Sequence, residues 1–270
     1  MLTKTYIHAA FSVLLFPLAC PACAQAPSFS FRNPTTMSIG GEYSNNSNHL
    51  IIGKAYNRRL TGLALTYSLR LAHTRIGDWY YDAELRPLQF LQDPISTTTK
   101  TVQFGNQAPF GPFPVQSGPI PSRCQSAVIT NPDGTSPNST TVQTRVCGTR
   151  WTYAGGMSPL GQRINFMPRR RAQPYLLLNA GFLVSPHNIP SDYSSSFNFT
   201  FAFGGGIQFN CASGRSWSLD YRIHHLSNRN IGDSNPGIDN QLLRLSYTFP
   251  MHHRVGESMI TRPAKLFLSH

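Results

Sequence analysis

The sequence predicts an all-β chain whose strands close into an eight-stranded antiparallel barrel, and three observations carry that prediction. Alternation of period two runs through most of the chain after residue 35. The two faces it defines differ in chemistry, one bulky and apolar, the other built from Gly, Ala, Ser and Thr with an occasional Arg. Charged residues make up only 13% of the chain, against about 25% in an ordinary soluble domain. A soluble sandwich would turn the bulky face inward and carry more Lys and Glu outside. A narrow barrel in a membrane turns the bulky face to lipid and the small one to its lumen.

The N-terminus stands apart from this pattern. Lys4 supplies a basic start, Ala9 to Ala19 an apolar stretch, and Ala22-Cys23-Ala24 a small-residue cleavage site before Gln25. Residues 1–24 therefore read as a secretory signal peptide, too short to span a membrane. Cleavage as a lipoprotein at Cys20 is the weaker alternative, because Pro17 sits where such signals favour an aliphatic residue. No later segment has the apolar run a transmembrane helix needs, so membrane residence would be as a barrel or at the surface. The expected organisation is a barrel over 25–249, with an inserted loop at about 88–150, and a tail over 250–270.

Strand segments are expected near 36–44, 60–72, 79–87, 151–166, 174–184, 196–210, 215–228 and 239–249. Phe197, Phe199, Phe201 and Phe203 alternate with Asn198, Thr200 and Ala202, and Ile207 and Phe209 continue the row. Leu63, Leu65, Tyr67, Leu69 and Leu71 form another such row, and Leu243, Leu245, Tyr247 and Phe249 a third. Eight segments make the smallest standard outer-membrane barrel. Residues 88–150 break the rhythm with a Pro/Gly-rich run from Pro109 to Pro121 and an Asn131-Pro132-Asp133-Gly134 turn. They read as one long external loop.

The formal charge of +12 favours anionic partners. Nucleic acid is excluded as a partner of an exported chain. Lipopolysaccharide phosphates or anionic outer-membrane lipids fit better, with Arg169-Arg170-Arg171 and Arg58-Arg59 as the densest clusters; simple solvated rim charge is the competing account. Cys124 and Cys147 bracket a polar stretch and could close a loop in an oxidising compartment. Cys211 reads as a buried small residue at a strand end. No metal-ligand spacing is present, and no cofactor or metal is implied.

Tyr221-Arg222-Ile223-His224-His225-Leu226-Ser227-Asn228 holds a histidine and a serine two apart on a strand, hence on one face. Asp239 opens the next strand and can lie beside them, completing the groups of a serine hydrolase. Trp217, Leu219, Tyr221 and Ile223 share the parity of His225 and Ser227, and Asp239 shares that of Leu243 to Phe249. All three polar groups should therefore face outward, near one end of the barrel wall. Polar groups are costly on a lipid face unless they serve a purpose. His224 falls on the lumen face and reads as structural.

These residues resemble a known family. His225-Leu226-Ser227-Asn228, the short loop with Asn235-Pro236-Gly237, an acid at 239 and a closing aromatic strand look like the lipid A 3-O-deacylase (PagL) or acyloxyacyl hydrolase-like family. The segments around Gln173-Pro174-Tyr175 and Phe197 to Phe209 extend the likeness. The resemblance implies an outer-membrane serine esterase that removes an ester-linked 3-hydroxyacyl chain from lipid A without a cofactor. It assigns Ser227 as nucleophile, His225 as general base, Asp239 as the group orienting the imidazole and Asn228 to the oxyanion hole. Three features depart from the family pattern: aspartate stands where glutamate is typical, the 88–150 insertion is long, and the chain continues past Phe249. Rival readings are a non-catalytic structural or adhesive barrel, a phospholipase-like esterase and a soluble ligand-binding barrel. A homodimer stays open.

Overall fold

The computed structural model describes residues 35–120, 124–132, 139–211 and 214–251. The expected signal peptide, and the tail beyond residue 251, lie outside these. Ten strands follow in order: β1 (Thr35–Ser44), β2 (Arg59–His73), β3 (Gly77–Phe104), β4 (Phe110–Pro119), β5 (Ala127–Pro132), β6 (Ser139–Phe166), β7 (Ala172–Ile189), β8 (Ser195–Asn210), β9 (Ser216–Ser227) and β10 (Ile238–Pro250). Eight of them close a ring, β3-β2-β1-β10-β9-β8-β7-β6, through the β3–β6 pairing, with every neighbour antiparallel. Each ring strand overlaps one of the eight segments expected from alternation. A closed ring leaves no unpaired edge among its own strands.

The alternation sorts as expected. Leu63, Leu85, Phe201, Phe203, Tyr221 and Leu243 are exposed on the outer wall, while Ala64, Thr66, Ala202, Arg222 and Arg244 are buried inside. Glycine fits where interior crowding is tightest: a Cβ on Gly204 or Gly206 would fall within 2.4 Å of a carbonyl oxygen of β9.

The interior differs from the expectation of a polar but rarely charged lumen. Glu84 receives Arg86 at 2.6 Å, Arg222 at 3.0 Å and Arg244 in a still shorter contact. Asp220 takes Arg222 at 2.5 Å and the Tyr175 hydroxyl at 2.7 Å, and Glu42 accepts from Gln89 at 2.8 Å. Arg163 pairs with Asp82 at 2.9 Å and lies 4.4 Å from the Tyr80 ring centroid. Several of the chain's few charges are buried here, where each needs a partner to offset its desolvation.

The described residues of 88–150 are largely strand rather than irregular loop. β3 and β6 run on past the ring, paired from Gly77–Phe166 to Phe104–Ser139. β4 joins the outer part of β3 and β5 joins the outer part of β6, which makes a four-stranded extension ordered β4-β3-β6-β5. Runs such as Ser96-Thr97-Thr98-Thr99 and Thr140-Thr141-Val142 read as polar linker, yet β-branched threonine suits an extended backbone. With both faces polar they carry no alternation for a sequence reading to detect. The Cys124–Cys147 disulfide is formed, with Cα atoms 5.8 Å apart, and ties the segment before β5 to β6. Cys211 is buried.

The turns at 74–76 and 167–171 and the ends of β8 and β9 at Asn210 and Ser216 gather at one end of the ring. Loops 45–58 and 228–237 and the β-extension gather at the other, where β9 ends.

Candidate active site

The register places the site residues side by side. Asp239 on β10 is the direct partner of His225 on β9, whose β8 neighbour is Phe201. From this pair an outward ladder descends β9 and β10: Ile223 beside Gln241, Tyr221 beside Leu243, Leu219 beside Leu245 and Trp217 beside Tyr247. Ser227, the last residue of β9, lies two positions beyond His225 on the same face and pairs with Phe199. Two residues of strand separate their Cα atoms by roughly 7 Å.

His225 Nδ1 lies 2.5 Å from Asp239 Oδ1. With Nδ1–H donating to the carboxylate, Nε2 keeps its lone pair. That atom is buried and has no hydrogen-bond partner among the described residues. The shorter reach of aspartate is therefore sufficient here, because the two residues are direct cross-strand partners.

Asp239 is fully buried although its parity points outward. Loop 45–58 covers it. The backbone N–H groups of Leu50, Ile51 and Gly53 donate to Asp239 Oδ2 at 3.0, 2.7 and 2.9 Å. The loop is held against β10 by Asn48 N–H to Asp239 O at 3.1 Å and Ala55 N–H to Gly237 O at 3.0 Å, and closed by a His49 Nδ1 contact with Gly53 O at 2.8 Å. Two glycines permit this approach. A Cβ on Gly53 would lie 2.7 Å from Asp239 N, and Gly237 adopts φ +62°, with its own Cβ position 3.2 Å from His225 Cε1.

Ser227 is not hydrogen-bonded to His225. Its Oγ accepts from Asn235 Nδ2 at 2.9 Å and from Arg229 N–H at 3.2 Å. Asn228, expected at the oxyanion, points elsewhere: Nδ2 donates to Ser234 O at 2.8 Å, and Oδ1 accepts from Asn230 N–H at 2.9 Å. These bonds fold the 228–234 turn, whose Arg229 and Asn230 have positive φ. Sequence reasoning missed the three N–H donors and the Asn235 contact with Ser227. Backbone donors leave no side-chain signature, and only the clustering of Gly53 and Asn235-Pro236-Gly237 hints at tight loops.

The basic clusters are placed otherwise than expected. Arg58 is buried against Asp93 at 2.8 Å, and donates to Tyr56, Ile120 and Pro190 carbonyls at 2.8, 2.7 and 2.9 Å, tying three loops together. Arg59 is exposed at the Ser227 end, whereas Arg169, Arg170 and Arg171 are exposed in the β6–β7 turn at the opposite end. That turn cannot meet a ligand bound beside Ser227.

Residues 134–248 match the family model described as lipid A 3-O-deacylase (PagL). No curated protein matches the chain. Among solved structures, the outer-membrane enzyme PagL aligns at 13% identity and a TM-score of 0.45, covering 79% of this chain and 99% of that one. Neisserial surface protein A aligns at 8% identity and a TM-score of 0.39, covering 81% and 98%. The attachment invasion locus protein Ail of Yersinia pestis aligns at 14% and 0.33, covering 80% and 99%. The matched residues, 134–248, take in β6 to β9 and most of β10 and contain His225, Ser227, Asn228 and Asp239, and over this stretch the chain is similar to the lipid A 3-O-deacylase (PagL) family.

Proposed function

We propose that the chain is an outer-membrane β-barrel that hydrolyses the ester of a 3-hydroxyacyl chain on lipid A, with Ser227 as nucleophile. The observation that carries this reading is the buried His225–Asp239 pair, its Nε2 unpartnered, two residues from Ser227 on the outward face. The apolar outer wall supports residence in a bilayer, whose acyl chains would cover it. The end with the longer loops is then the outer one, and it is the Ser227 end.

In this mechanism Ser227 exchanges Asn235 for His225, which takes the hydroxyl proton on Nε2 as Oγ attacks the ester carbonyl. Asp239 holds the imidazole in the tautomer that can accept and stabilises the imidazolium formed. The tetrahedral intermediate collapses with cleavage of the carbonyl–sugar oxygen bond, and His225 returns its proton to the departing sugar hydroxyl. Water then attacks the acyl-serine, again through His225, and the 3-hydroxy fatty acid leaves. Donors for the oxyanion come from Asn228 and Asn235; Asn228 can serve only after its Nδ2 leaves Ser234 O. The scissile acyl chain lies along the ladder of Ile223, Leu243, Leu219 and Leu245.

Mass spectrometry of lipid A from host outer membranes tests this. The wild type removes one hydroxyacyl mass, and Ser227→Ala, inserted at equal level, leaves lipid A intact. An unaltered lipid A mass with folded wild-type protein would overturn the reading. Release of fatty acid from phospholipid offered alongside, with lipid A untouched, would favour the phospholipase alternative.

A further inference from the structure

The segment holding Asp239 lies outside the family match and belongs to loop 45–58. Its tip is Leu50-Ile51-Ile52, with relative exposures of 39, 37 and 62%. Three consecutive aliphatic side chains turned to solvent are costly, at roughly 25 cal/mol per Å² of apolar surface left in water. Yet the backbone beneath them is ordered, because the N–H groups of Leu50, Ile51 and Gly53 converge on one carboxylate oxygen. The tip continues the apolar outer wall, where Tyr43 on β1 and Leu243 on β10 are exposed and pair directly. Exposed His49 and Lys54 flank it, the arrangement of a segment that dips into an acyl phase while its polar ends stay at the headgroups.

We propose that Leu50-Ile51-Ile52 inserts into the acyl phase of the surrounding lipid, and that this insertion holds the loop's three N–H groups on Asp239. The loop is a positioning element, since none of its side chains need touch the reacting ester. The bilayer thereby completes the site: away from lipid the tip withdraws from water, the N–H groups leave Oδ2, and the carboxylate no longer fixes His225. This deepens the deacylase reading and, for its kinetic consequence, rests on it.

The test uses the full chain refolded into phosphatidylcholine–phosphatidylglycerol bilayers carrying lipopolysaccharide. In Ile52→Trp, emission measured as a difference from the parent protein should shift to the blue and be quenched by brominated acyl chains rather than by aqueous iodide. Quenching by iodide alone would overturn the insertion. A triple variant, Leu50→Ser with Ile51→Ser and Ile52→Ser, keeps every backbone donor. It should lose the low-field proton resonance of the His225–Asp239 hydrogen bond and lower kcat on bilayer lipid A by on the order of 100-fold, the scale of a misplaced catalytic group. The apolar variant Leu50→Ile with Ile51→Leu and Ile52→Leu should restore both. An unchanged resonance and kcat in the serine variant would overturn the coupling. If wild-type protein leaves lipid A uncut while quenching and resonance behave as expected, the deacylase reading fails and the lipid-held loop stands.

Discussion

Asp239 divides its two oxygens between different tasks, Oδ1 to His225 and Oδ2 to three backbone N–H groups. That division makes Asp239→Asn informative. The amide must turn its oxygen toward the three donors, which leaves its NH₂ facing His225 Nδ1. Imidazole would then accept at Nδ1 and carry its proton on Nε2, the tautomer that cannot take a proton from Ser227. Deacylation should fall by roughly 10³–10⁴ in kcat with folding intact, read from lipid A turnover alongside the heat-modifiable gel shift of the folded ring. The adjacency of His225 and Asp239 was legible in the sequence, because parity along β9 and β10 requires only counting. The covering of Asp239 was not. It depends on a loop 186 residues away in sequence at Gly53, which acts through peptide groups that any residue could supply.

At the scale of elements, loop 45–58 is bound to β10 more closely than its length suggests, and Gly53 is the point of closest approach. Gly53→Ala would place a methyl 2.7 Å from Asp239 N and 2.9 Å from Oδ1. The backbone of β10 is fixed by β9, so the loop must yield. Activity should drop by about tenfold or more, while the midpoint of urea unfolding moves little because no ring contact is lost. The converse holds for the β-extension. Its strands were hidden in a Thr- and Pro-rich stretch that resembles linker, because the residues buried on one face, Ser96, Thr98, Ser139 and Thr141, are as polar as those on the other and leave no apolar alternation. The eight ring strands were readable for the opposite reason, each having one face in the crowded interior and one on the apolar wall.

For the molecule as a whole, the interior charges act as the core. Glu84 joins β3 to Arg222 on β9 and Arg244 on β10, across the ring, as well as to Arg86 two residues along its own strand. Glu84→Gln removes the carboxylate that three guanidinium groups share; Arg222 keeps Asp220 and Arg86 keeps Glu42 at 3.4 Å, while Arg244 retains, among the described residues, only the Thr66 and Ser246 hydroxyls. Unfolding in micelles should show a loss of roughly 3–5 kcal/mol, the cost of a buried charge stripped of its partner. The low charged fraction correctly excluded an ordinary soluble surface. It did not disclose that Glu84, Arg222 and Arg244 sit inside, since composition carries no position and only their parity places them.

The placement of His225, Ser227 and Asp239 on the outward face of β9 and β10 also sets what concentration means for the proposed reaction. A cleft enzyme samples substrate from solution, and adding buffer dilutes it. On the proposed deacylase reading, a site on the lipid face samples its neighbours in two dimensions, so buffer volume should leave the rate unchanged while inert lipid, lowering the surface mole fraction of lipid A, should slow it. Saturation is then reached in units of molecules per bilayer area, and any amphiphile crowding the Ile223–Leu245 ladder acts as a competitor.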